Sequence, residues 1–97
     1  MIVLTFNTRV RSEGFRELLN TLNSMGKQIQ ELEGCISFKC HRGITEKNNI
    51  RFIEKWSSRK RLDTHMQSEL FSALKGAFQV LSGTYTIEIN EKQFKSP

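Results

Sequence analysis

The sequence predicts an α+β domain in which four strands form one antiparallel sheet and two helices lie on one of its faces. Three observations carry the prediction. Two segments repeat apolar residues at steps of three and four, and four segments alternate at a step of two. A polar loop joins the second and third alternating segments. The order strand, helix, strand, strand, helix, strand is the split βαβ, ferredoxin-like βαββαβ arrangement.

The first strand is "IVLTFNTRV" (2–10), rich in β-branched residues, with Ile2, Leu4 and Phe6 on one face and Val3, Thr5 and Asn7 on the other. Ser12 offers a helix N-cap, and Phe15, Leu18, Leu19, Leu22, Met25, Ile29 and Leu32 form one helical stripe. Gly26 weakens that helix, so an irregular last turn is expected. "EGCISFKCHRG" (33–43) is the second strand, with Ile36, Phe38 and Cys40 opposed to Cys35, Ser37, Lys39 and His41. "ITEKNN" is the hairpin loop. "IRFIEKWSS" (50–58) returns with Ile50, Phe52, Glu54 and Trp56 on one face and Arg51, Ile53 and Lys55 on the other. Ser57 or Ser58 caps the next helix, in which Leu62, Met66, Leu70 and Leu74 recur at steps of four beside Phe71; Ser68 can start a fresh turn and Gly76 can end it. His65 falls on the Leu62 side of this helix. "FQVLSGTYTIEINEKQF" (78–94) reads as a long last strand bent at Gly83, and the tail 95–97 as frayed.

Ninety-seven residues (1–97) make a single domain with a modest core. The formal charge of +5, from 15 Lys and Arg against 10 Asp and Glu, suits an anionic ligand or surface, yet only "RKR" (59–61) forms a run, at a helix start where a solvated face is the plain reading. Nucleic acid is not an expected partner: the third strand lacks the glycine-containing aromatic pattern of RNA-recognition domains, and Glu54 between Phe52 and Trp56 repels phosphate. No apolar run approaches membrane-spanning length, and two cysteines expected on opposite strand faces suit a reducing, cytoplasmic setting. No spacing suits a metal, and no glycine motif suits a nucleotide, so neither cofactor nor metal is expected.

Two helices cover one sheet face only. With Val3 on the first strand and Ile53 on the third, the bare face reads as apolar enough to need cover. A homodimer packed sheet to sheet would supply it, enclosing a hollow walled by Trp56 and His65.

Gly34-Cys35 opening the second strand, then Glu54-x-Trp56, Leu62, His65, Ser68 and Phe71 in fixed register, resemble the antibiotic-biosynthesis monooxygenase group of the dimeric α+β barrel superfamily. That resemblance implies a homodimeric barrel whose pocket takes a small hydrophobic or aromatic ligand, an electron-rich phenol or hydroquinone, and reacts it with O2 without metal or flavin. His65 is then the proton acceptor, since its ordinary pKa lies near neutrality. Asn7 is the donor to the resulting anion or to dioxygen; Trp56, Phe52 and Phe71 are apolar walls, and Glu54 orients His65 or pairs at the rim. Each has a plainer reading: His65 and Trp56 as packing, Glu54 as a strand-face ion pair, Asn7 as a turn residue. A non-catalytic dimeric module binding a small ligand is the alternative function. The haem-degrading branch fits less well, because His65 stands where that branch has Trp and Lys75 where it has the iron ligand. The polyketide branch places polar residues beside the family Trp, where this chain has Phe52 and Leu62.

Overall fold

The computed structural model describes residues 1–43, 45, 46, 48–82 and 84–91. Its strands are β1 (Ile2–Arg9), β2 (Cys35–Arg42), β3 (Asn49–Trp56) and β4 (Tyr85–Glu91); its helices are α1 (Phe15–Gln30), α2 (Arg59–Met66) and α3 (Glu69–Ser82). The sheet order is β2-β3-β1-β4, with every neighbouring pair antiparallel. This is the ferredoxin-like arrangement, and the expected faces of β1 and β3 hold. The bend expected at Gly83 and the frayed tail lie outside the described residues.

Phe6 lies directly opposite Phe52 on β3 and Ile87 on β4. Its ring stacks on Phe78 of α3 at 4.7 Å and meets Phe52 edge-on at 5.7 Å. Ile2, Leu4, Phe52 and Trp56 extend this core beneath Leu18, Leu22 and Ile29 of α1 and Leu74 of α3. Every one of these side chains is on the helix-covered face, as the two-residue strand period requires.

Four local expectations change. Ser12 opens a 3-10 turn (Ser12–Gly14) rather than capping α1, whose N-cap is Gly14 without a side-chain bond. α3 runs through Gly76 to Ser82, because Phe71, Leu74 and Phe78 continue the three-four stripe into the core; β4 is correspondingly shorter than 78–94. A bulge between Cys35 and Ser37 sets Cys35 opposite Trp56. Cys35 therefore shares the covered face with Cys40, and Ile36 turns outward at 55% exposure. Both thiols remain free.

Gly26 interrupts neither α1 nor its packing. A Cβ there would stand 2.1 Å from Cε1 of Phe38, so the glycine lets the β2 ring lie against the helix backbone. Gly34, at φ 89°, occupies the left-handed region, and its carbonyl accepts the N–H of Ser57 at 2.8 Å. That bond ties the start of β2 to the segment leading into α2.

Helix propensity alone predicts that Gly26→Ala stabilises α1 by about 1 kcal/mol. The contact with Phe38 predicts the reverse, a loss of about 1–3 kcal/mol by overpacking. Urea unfolding of Gly26→Ala decides the sign, and pairing it with Phe38→Leu should recover most of the loss.

Candidate functional site

β3 places Phe52, Glu54 and Trp56 on the covered face in three successive inward positions. Glu54 and Trp56 are two apart and adjacent on that face, so the indole Nε1 donates to Glu54 Oε1 at 2.9 Å. Two residues beyond the strand, Ser58 caps α2 by accepting the N–H of Arg61 at 3.3 Å. This early start turns Leu62 and His65, three apart, inward onto β3.

The His65 ring stacks on Trp56 at 4.8 Å and meets the Phe71 ring edge-on at 5.2 Å. Its Nε2 lies 3.1 Å from the same Oε1 of Glu54, both side chains being at most 1% exposed. The oxygen sits off the axis of the ring N–H, so the contact is electrostatic rather than a formed hydrogen bond. Nδ1 of His65 and Oε2 of Glu54 are buried with no hydrogen-bond partner among the described residues. Native cores leave few polar atoms in that condition, and each costs about 1–3 kcal/mol. α2 ends directly after this histidine. Ser68 Oγ donates to the His65 carbonyl at 2.6 Å and accepts the N–H of Phe71 at 3.2 Å, starting α3 on a new axis.

Four of the six expected site residues thus gather, His65, Glu54, Trp56 and Phe71; Phe52 shares their face but packs its ring against Phe6, Phe38 and Phe78. Asn7 does not join them. It points from the opposite face of the sheet, where its Oδ1 accepts from Arg51 Nε at 3.0 Å. The reason is parity: Asn7 and Arg51 are cross-strand partners on odd-numbered positions, and the inward set on β1 and β3 is even-numbered. The expected hollow is corrected by the same geometry. Trp56 and His65 lie under the helices, and the helix-free face is mostly polar. Val3 and Ile53 are surrounded there by Thr5, Asn7, Lys39, Arg51, Lys55 and Glu88.

A hollow of about 670 Å³ opens at the end of the sheet, with Asn7, His41, Arg51 and Ile53 of the polar face in its lining. Sequence reasoning missed it because the Asn7–Arg51 pairing depends on strand register. Lys75 of α3 holds its ammonium 5.3 Å over the Phe71 ring. Among the described residues no three His, Cys, Asp or Glu side chains converge as metal ligands, and no helix is long and apolar enough to cross a membrane. Burial raises both thiol pKa values, and for Cys35 the charge of Glu54 adds to the rise.

The sequence model of the antibiotic biosynthesis monooxygenase family matches residues 1–77. An uncharacterised Synechocystis protein is 30% identical over 70 residues, 72% of this chain. The match covers 48% of that relative, so the chain spans about half its length. A proposed antibiotic biosynthesis monooxygenase from Deinococcus radiodurans superposes with a TM-score of 0.92 at 14% identity, covering 100% of this chain and 97% of the other. A conserved protein from Methanosarcina mazei gives 0.87 at 22% identity, covering 95% and 92%. At these identities the two structures show a shared fold.

Two outcomes follow from Glu54. Glu54→Ala strands the indole N–H and the imidazole and should cost about 3–5 kcal/mol, whereas Glu54→Gln keeps an acceptor and should cost about 1 kcal/mol. Equal urea midpoints for the two variants would remove the role given to Oε1. In a Cys40→Ser background, Cys35 alkylation by iodoacetamide should rise with pH only above the ordinary thiol range, because a raised pKa keeps the thiol neutral longer. Glu54→Gln removes the negative charge and should move that profile to lower pH.

Proposed function

The chain belongs to the antibiotic biosynthesis monooxygenase family, and from that premise we propose that it oxidises a small electron-rich aromatic, a phenol or hydroquinone, with O2 as the oxidant. Family membership supports the monooxygenase-type activity; the substrate class and the residue roles extend it. The observation that carries the extension is a histidine held between a buried carboxylate and two aromatic rings, with neither ring nitrogen in a formed hydrogen bond among the described residues.

The substrate hydroxyl gives its proton to His65 Nδ1. Glu54, at 3.1 Å from Nε2, stabilises the imidazolium that forms. Trp56 and Phe71 flank the reacting ring, and Phe52 closes the apolar floor, where O2 partitions readily. The phenolate is the electron donor. Where the substrate carries a methylene next to that ring, the methylene becomes a carbonyl: one atom of O2 enters the product and the other leaves as water with the two displaced hydrogens.

His65 is 3% exposed, so substrate must part α2 from the sheet. The helix break between Met66 and Glu69, immediately after the histidine, is the natural hinge for that movement. The family is typically dimeric, and a second copy across the helix-free sheet face is the assembly proposed for this chain. That face is polar, so its cover comes from matched polar groups rather than from apolar burial alone.

The deep burial of His65 favours one second reading, in which Glu54, Trp56 and His65 clamp α2 to β3 in a module that binds a small ligand without turnover. Oxygen uptake with a panel of hydroquinones separates the two. Catalysis predicts uptake that falls by about 10²–10⁴-fold in His65→Gln with the fold intact by circular dichroism. A clamp predicts no uptake, ligand-induced thermal stabilisation, and a lower melting temperature for His65→Gln. Equal uptake by wild type and variant would refute the proton transfer.

A further inference from the structure

The helix-free face of the sheet carries its charges unevenly. Taken across β2, β3, β1 and β4, its central row is Lys39, Ile53, Thr5 and Glu88. The row on one side is His41, Arg51, Asn7 and Thr86, and the row on the other is Ser37, Lys55, Val3 and Asn90. Lys39, Arg51 and Lys55 therefore share the β2–β3 half. Glu88, in the β1–β4 half, is the one carboxylate on the described strand positions of this face. Lys39 and Glu88 are both exposed, at opposite borders of one row, and neither is in an ion pair among the described residues.

Two sheets packed face to face keep their strands aligned to within about 30°. Two-fold symmetry then leaves two arrangements. An axis running across the strands lays β2 on β2 and β3 on β3, so the cations of both copies crowd into one half of the interface. An axis running along the strands, between β3 and β1, lays β2 on β4 and β3 on β1. Each row then faces its own reverse. Lys39 meets the partner's Glu88, and Glu88 meets the partner's Lys39. Arg51 meets the partner's Asn7, Lys55 the partner's Val3, and Arg9 the partner's Asn49. No cation of these rows stands against another. Like charges juxtaposed across an interface are strongly unfavourable, so the charge pattern rejects the first arrangement and fits the second.

We propose that the second copy sits on the helix-free face with its two-fold axis along the strands, held in register by two Lys39–Glu88 ion pairs. The inference rests on the sheet-to-sheet assembly proposed above and gives that assembly its orientation. It does not depend on the oxidation assigned to His65.

Sedimentation velocity of the full chain tests it without substrate. Wild type should dimerise. Lys39→Glu and Glu88→Lys should each raise the dimer dissociation constant about tenfold or more, because each sets two like-charged pairs face to face. One change lowers the net charge and the other raises it, so a loss in both cannot come from overall repulsion. The double variant, Lys39→Glu with Glu88→Lys, should return to within about threefold of wild type, since the pairs are restored in reverse. Glu31→Lys, an exposed charge reversal at the end of α1, is the control and should dimerise as wild type. Single variants that dimerise as well as wild type, or a double variant no tighter than the singles, would overturn the orientation and leave the assembly standing. A wild-type chain that stays monomeric would overturn both.

Discussion

A carboxylate taken fully out of water has to find donors inside the protein, and Glu54 imposes that condition on everything near it. Its position is set by the strand period. With Phe52 and Trp56 required in the core, the residue between them on the same face has no route to solvent. Ionised carboxylates are costly in such surroundings unless paired. Trp56 supplies an indole N–H from the same strand, and His65 supplies a ring nitrogen from α2. The placement of α2 is therefore tied to the chemistry of β3. The Ser58 cap, the Gly34–Ser57 bond and the Ser68 restart all serve to bring one imidazole over one carboxylate.

The two faces of the sheet then divide the work. Even-numbered positions on β1 and β3 hold the aromatic core and the Glu54–His65 contact; odd-numbered ones hold a polar surface with a guanidinium at its centre. A one-residue slip of β3 would exchange these sets, placing Arg51 under α3 and Glu54 in water. Such a slip would expose the whole aromatic set, so the register is strongly determined.

Much of this was legible in the residues. Alternation on β1 and β3 and the three-four stripes gave the element order and the covered face. The Glu-x-Trp spacing followed by His65 on the Leu62 side of its helix brought the buried contact within reach of inference. The rest failed for identifiable reasons. A bulge adds one residue to β2, and alternation cannot announce it, so Cys35 was expected on the wrong face. Gly76 read as a stop, because a glycine inside a helix looks the same in sequence as a glycine after the last turn. The bare face was expected to be apolar from Val3 and Ile53, but their neighbours across the strands are Lys55, Thr5 and Lys39, and only the pairing reveals that. Asn7 was assigned to His65 on family likeness, against the parity of its own strand.

The bulge at Ile36 has a further effect. β2 is a border strand of the sheet, and its outer backbone groups are a template on which another molecule's strand could crystallise into a ladder. An extra residue there breaks the repeat of N–H and C=O spacing and sharpens the local coil, so an incoming segment finds matching groups for only part of its length. The same irregularity that moved Cys35 inward thus discourages runaway stacking of copies edge against edge.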